Sequence, residues 1–203
     1  MELTAAEPRR HRLTQLYIDG EQAVKVDTET FLRSGLRPGD ELTDEELHAL
    51  LQDSDAHRAQ EKALYLLEHR SHSKKELTEK IARTAASYEA AQAAADRMEE
   101  LGLGDDEGYA RRAARDMFLR KRWGPLRVKQ ELRQKGIAAG LIDELLVEYG
   151  DEGATQENIQ ALLDKKYPAW ADDEKERRRA FAALQRLGYP YADIRQAMQV
   201  DPE

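Results

Sequence analysis

The chain has 203 residues, 35% of them charged and only 6% aromatic, so thin layers of helices suit it better than one thick core. Its 32 basic and 40 acidic side chains leave a net charge of −8, and it has no cysteine, which excludes disulfides, thiolate nucleophiles and cysteine-bound metals. No run approaches the length of a membrane span, and the N-terminus lacks the basic start and apolar stretch of a signal peptide, so a cytoplasmic location is expected.

Residues 1–10 read as a loose tail. From Leu13 to Val26, two β-rich runs flank Asp19-Gly20, a strong hairpin signal because both turn positions need positive φ. Thr28 to Ser34 reads as a short helix, and Arg37-Pro38-Gly39-Asp40 as a turn. Thr43 and Glu46 have the spacing of a capping box, opening a helix expected to end near Leu51. Helical units begin at Ala56, with Ala59, Ala63, Leu64 and Leu67 on one stripe. Ser73 and Glu76 form a second capping box before Leu77 and Ile81. The alanine-rich stretch to Leu101 is helical by propensity, with Met98 and Leu101 its expected buried positions.

Asp105 is a natural cap for the next helix, in which Tyr109, Ala110, Ala113, Ala114, Met117 and Phe118 share one face. Gly124-Pro125 stops the chain and restarts it, since proline suits the first helical position. Val128 and Leu132 then point inward before Gly136, and Leu141, Ile142, Leu145, Leu146 and Tyr149 mark a third helix. None of these helices is long enough to be stable alone. The segment Gly150–Gly153 reads as a hinge. Beyond it come Ile159, Leu162, Leu163 and Tyr167, then Ala180, Phe181, Leu184 and Leu187, then Ile194, Ala197 and Met198. Leu132, Gly136, Ile137 and Ile142 map onto Leu184, Gly188, Tyr189 and Ile194 at one constant offset, which marks an internal repeat of helices. The expected fold is mainly α: an elongated, curved array of tandem three-helix repeats behind a β-hairpin and short helix. The expected domains are an extension over 1–55 and repeats over 56–104, 105–150 and 151–203.

The negative charge is unevenly spread. Residues 111–135 carry 10 basic and 2 acidic side chains, whereas each of the segments 1–55, 56–110 and 136–203 is net acidic. Screening over about 10 Å at 0.1 M salt lets such a cluster act locally despite the global charge. Arg111, Arg112, Arg115, Arg120, Lys121, Arg122, Arg127, Lys129, Arg133 and Lys135 are therefore the candidate contacts to phosphates or an acidic protein, with Trp123 as a stacking partner. The competing interpretation is a solvated helix face with Trp123 packed under Pro125; the charge asymmetry favours a binding surface.

His69 and His72 have no third ligand at a clear spacing and read as exposed or capping residues. Glu99, Glu100, Asp105, Asp106 and Glu107 read as helix caps and solubilising charge, leaving a metal-dependent hydrolase the weakest option. Arg177, Arg178 and Arg179 read as helix surface. There is no nucleophile elbow, phosphate loop or zinc motif, so no catalytic residue, metal or cofactor is expected.

Tyr109-Ala110, Arg120, Gly124-Pro125-Leu126-Arg127-Val128, Glu131-Leu132 and Lys135-Gly136-Ile137 resemble, in order and spacing, the central signature of the RecX family of recombinase regulators. Ala63 to Leu67 and Arg70 to Ile81 are similar to that family's first repeat, and the likeness spans roughly residues 57–199, with a long alanine-rich insert as its main departure. The resemblance implies a non-enzymatic, monomeric protein acting in homologous recombination, DNA repair and the SOS response. Such a protein would lie in the groove of the RecA filament on DNA and restrain ATP hydrolysis, strand exchange and filament growth. By the same resemblance Arg120, Arg127 and Lys135 are contacts, and Tyr109, Gly124, Pro125, Leu132, Gly136 and Ile137 are structural. The alternative is a helical repeat protein acting directly on nucleic acid.

Overall fold

A computed structural model describes residues 1–199; the last four residues of the expected third repeat lie outside the described residues. The chain is mostly helical and divides into two compact units, Met1–Gly104 and Asp105–Glu203. Among the described residues no helix is long and apolar enough to cross a membrane.

The first unit opens with a three-stranded antiparallel sheet of β1 (Leu3–Arg9), β2 (Leu13–Ile18) and β3 (Glu21–Asp27) in sequence order. The hairpin at Asp19-Gly20 is present, both residues having positive φ, but the expected loose tail is a strand. Leu3 is fully buried beside Leu16, Val26, Phe31, Leu42 and Leu50, and its N–H donates to the Asp40 carbonyl at 2.9 Å. One large apolar residue in seven gives no visible alternation, and Pro8 is tolerated because β1 is an edge strand.

Helix α1 (Thr28–Ser34) is capped by Asp27, and α2 (Asp44–His69) by Thr43 and Glu46, whose reciprocal bonds measure 3.1 and 2.9 Å. The second helix does not stop near Leu51 but runs 26 residues, because nothing between Leu51 and Ala59 breaks it. It serves two cores in turn. Leu50 joins the cluster under the sheet, while Ala59 and Ala63 pack against α3 (Lys74–Ala82) and α4 (Tyr88–Glu100). Leu64 and Leu101, expected inside, are half exposed. Ala91, Ala94, Ala95 and Met98 are buried instead, since a face of alanines lets α4 approach α2 and α3 closely.

His72, just before α3, is buried, with an Nδ1 that has no hydrogen-bond partner, and so it is neither exposed nor a cap. Burial lowers its pKa from the ordinary 6.5, helped by Arg70 and Lys80 and opposed by Glu76. The unfolded chain then binds the proton more readily than the folded one, so this contribution to stability is complete above about pH 6.5 and is lost as pH falls towards the lowered folded value. Urea unfolding from about pH 7 to pH 5 should show that decline, and His72→Gln should flatten it. An unchanged slope in the variant would assign the decline to another group.

The second unit begins with α5 (Asp106–Arg115), capped by Asp105 through the N–H of Gly108 at 2.7 Å. It passes into a π-helical turn over Asp116–Arg120, then α6 (Pro125–Gln134) and α7 (Ala139–Tyr149). Tyr109, Ala110, Ala114, Met117, Phe118, Val128, Leu132, Ile137, Ile142 and Leu145 form one core. Where a hinge was expected, α8 (Glu152–Lys166) starts almost at once because Asp151 caps it. With α9 (Glu174–Arg186) and α10 (Tyr191–Ala197) it buries Ile159, Leu162, Leu163, Ala180, Leu184, Tyr189, Ile194 and Met198. Every apolar pair related by the repeat offset is buried in its own core, and Gly136 and Gly188 both take positive φ, as helix-closing glycines do.

Candidate partner-binding surface

Asp116–Arg120 is the pivot of the cationic segment. The π-helical turn carries Leu119 and Arg120 outward while Met117 and Phe118 stay in the core. A single π turn inside an α-helix re-aims the residues that follow it, and such turns concentrate at functional positions. The chain leaves it through Arg122, at φ 51, and Trp123, whose N–H donates to the Met117 carbonyl at 2.9 Å.

The ten expected contact residues divide by what each touches. Arg111 lies between Glu107 and Glu148, with nitrogen–oxygen distances of 3.1 and 2.6 Å, and the bond to Glu107 raises its pKa. Arg112 is 3.8 Å from Asp105. Arg120 and Lys121 share Asp116 at 2.5 and 3.3 Å; burial pushes that carboxyl upward, but the bonds from Lys121 and Arg120 hold it below the usual range. Lys129 meets Asp143 at 2.7 Å and lowers its pKa. Arg127 lies over the Trp123 ring at 3.9 Å with Lys121 at 4.6 Å, and Lys135 is 5.6 Å from the Tyr109 ring. Among the described residues, Arg115, Arg122 and Arg133 have no carboxylate within ion-pair distance.

At least five of the ten are thus ion-paired, largely with acids that lie outside residues 111–135 in sequence. These pairs are partly solvent-exposed, so each contributes little to stability. An incoming polyanion can exchange with such pairs at little cost, whereas the unpaired arginines need no exchange.

The second and third three-helix groups meet backbone to backbone beside this surface. Gly124 N–H donates to the Leu187 carbonyl at 2.8 Å, Leu126 N–H to Gly188 at 3.1 Å, and the Tyr189 hydroxyl to the Arg122 carbonyl at 2.9 Å. Burial pushes the Tyr189 phenol up to about 12, so it remains a donor. A cavity of about 210 Å³ opens at this junction, lined by Arg127, Lys166, Tyr167 and Arg186 over Leu162 and Leu187. Lys166 and Arg186 join the candidate surface there. Sequence reasoning missed them because they lie 39 and 59 residues beyond Arg127 and only folding brings them to it.

The other residues weighed have local roles. Glu99 pairs with Lys74 at 2.7 Å, Glu100 with Arg97 at 2.9 Å, and His69 Nδ1 lies 2.7 Å from the Tyr65 carbonyl. Arg177 and Arg178 pair with Glu174, and Arg179 with Glu176.

Comparison with known proteins places this arrangement. Residues 105–146 match the second three-helix domain of RecX, and residues 154–198 the third. Regulatory protein RecX of Stenotrophomonas maltophilia (strain K279a) is 36% identical over 144 residues, covering 70% of this chain and 86% of that one. The chain belongs to the RecX family. Regulatory protein RecX of Chlorobium phaeobacteroides (strain BS1) is 32% identical over 147 residues, 72% of this chain and 95% of the relative. A crystal structure of regulatory protein RecX shares the fold with a TM-score of 0.69 at 20% identity, covering 98% and 99% of the two chains. RecX from Lactobacillus salivarius follows at 0.62, with 22% identity over 71% and 95%. In this RecX-family chain, α5 to α7 and α8 to α10 are therefore the tandem three-helix domains; the ten expected cations lie on the first, and Lys166 and Arg186 on the second.

Proposed function

We propose that this RecX-family chain is a non-enzymatic, cytoplasmic regulator that binds the RecA recombinase filament on DNA and restrains its ATP hydrolysis, strand exchange and growth. It acts as a monomer, with an extension over 1–55 ahead of repeats over 56–104, 105–150 and 151–203. The observation that carries the proposal is that, among the described residues, Arg115, Arg122 and Arg133 have no ion-pair partner, in a segment where Arg127 is stacked on Trp123. A polymer of protein and nucleic acid is acidic along its length, and a cationic surface in an otherwise acidic chain is drawn to it locally. Membership of a family of regulatory proteins supports the same reading. Adding the chain to RecA on single-stranded DNA should suppress ATP hydrolysis at stoichiometric amounts. Undiminished hydrolysis at those amounts would reject the proposal.

A second reading, direct binding to DNA, is favoured by Trp123 between two cations and by the cavity of Arg127, Lys166 and Arg186. It requires affinity for bare DNA to fall linearly with salt on a logarithmic plot, because phosphate neutralisation releases counterions.

A further inference from the structure

A second group of ligating side chains lies in the first unit and has no part in the proposed regulation. We propose that Asp27, His57 and Glu61 form a binding site for a divalent transition cation of the zinc type. His57 and Glu61 are one helical turn apart on α2 and share a face. Asp27, at the end of β3, is buried against them, and one ligand atom from each of the three residues lies within 4.8 Å of the others.

The donors have the features of a metal site. His57 Nδ1 is buried without a hydrogen-bond partner, although Asp27 Oδ1 is 3.1 Å away outside hydrogen-bonding geometry. A tetrahedral zinc ion holds its donors roughly 3.4 Å apart, so that pair already has the required spacing, and a Glu61 oxygen lies within 4.8 Å of both. Asp27 is fixed by an outer layer: Thr30 N–H donates to its Oδ1 at 2.9 Å, and its own N–H donates to Ser54 Oγ at 2.7 Å. Such secondary bonds orient metal-binding carboxylates. One imidazole and two carboxylates suit zinc, whereas calcium takes about six to eight oxygens. An opening of about 290 Å³ borders Asp27 and Glu61, with His11, Asp55, Arg58 and Lys62 in its wall.

Arg12 supplies the positive charge that faces Glu61. His11 and Arg12 form the β1–β2 turn at φ 62 and 59, a conformation costly for side-chain-bearing residues, and the turn sets the Arg12 guanidinium on Glu61 and 3.7 Å from Glu29. Its side chain is two-thirds exposed, so an ion at the site displaces it into water. Bound zinc clips the end of β3 to the middle of α2.

Isothermal titration of ZnCl₂ into the full-length, untagged chain, first treated with EDTA, should show one equivalent bound. His57→Ala and Glu61→Gln should each weaken binding tenfold or more with circular dichroism unchanged, and Arg12→Ala should tighten it. Cobalt in place of zinc should give a visible spectrum that His57→Ala abolishes. No stoichiometric uptake, uptake indifferent to both ligand substitutions, or weaker binding by Arg12→Ala would overturn the proposal. Glu61→Gln keeps the side-chain shape on a partly exposed helix face, so its result stands even where His57→Ala perturbs folding.

Discussion

Gly188→Ala should destabilise the second unit by about 2–5 kcal/mol, the sum of a left-handed backbone forced on a side-chain-bearing residue and an overpacked contact. Gly188 has φ 89, and an added Cβ would stand 2.4 Å from the backbone nitrogen of Arg127. Gly124→Ala separates the two costs. Its φ of −75 suits any residue, yet its Cβ would stand 2.4 Å from the carbonyl carbon and oxygen of Gly188. The junction must open in both variants, taking with it the bonds from Gly124 to Leu187 and from Leu126 to Gly188. Gly20→Ala is the control: φ is 83 but nothing lies within 4 Å, so only the conformational cost of about 1–2 kcal/mol remains. Urea unfolding of the three variants measures the effect. Should Gly124→Ala prove as mild as Gly140→Ala, where an added Cβ meets nothing, the backbone contact between these two domains is not as described.

That contact illustrates what a sequence does and does not disclose. Gly124-Pro125 announces a helix start, and Gly188 a helix end, because each signal is local. That one glycine must be small because the other lies against it is a fact of packing between residues 64 positions apart in sequence. Thr43, Ser73 and Asp105 were legible as caps for the same local reason. Strand β1 was not, since its turn is His11-Arg12 rather than a glycine pair and its only large apolar residue is Leu3. The run of α2 past Leu51 was hidden by a change of core without a change of helix. At the surface, counting charges in a window leaves out the acids that folding brings to it. Asp105, Glu107, Asp143 and Glu148 lie outside the window yet fold onto Arg112, Arg111, Lys129 and Arg111 respectively. The metal-type triad escaped entirely, because Asp27 is 30 residues from His57.

The same sorting of charges dictates which arginines to test. Arg115→Glu with Arg133→Glu should weaken binding to the assembled RecA–DNA filament roughly 30-fold to several-hundred-fold at low salt, because each reversal turns an attraction of order 1 kcal/mol into a repulsion of similar size. Added salt should shrink the difference, since the exposed charges are screened. Folding should barely respond: among the described residues neither gives up an ion pair, and exposed substitutions of this kind stay within about 0.5 kcal/mol. Arg111 and Lys129 are poorer probes. A glutamate at either position would face Glu107 and Glu148, or Asp143, and would disturb the packing of α5 or α6 on α7 together with any binding. Leu132→Ala supplies the opposite case. Leu132 is 0% exposed at the centre of the second unit's first core, so its truncation should cost about 2–5 kcal/mol of stability. Chains of Leu132→Ala that remain folded should bind the filament normally, because the mutation leaves every surface cation in place. Filament titration and urea unfolding on the same samples therefore rank the variants in opposite orders. If the arginine reversals instead lowered stability and spared binding, those arginines would be part of the scaffold, and the contact surface would have to be sought elsewhere on the chain.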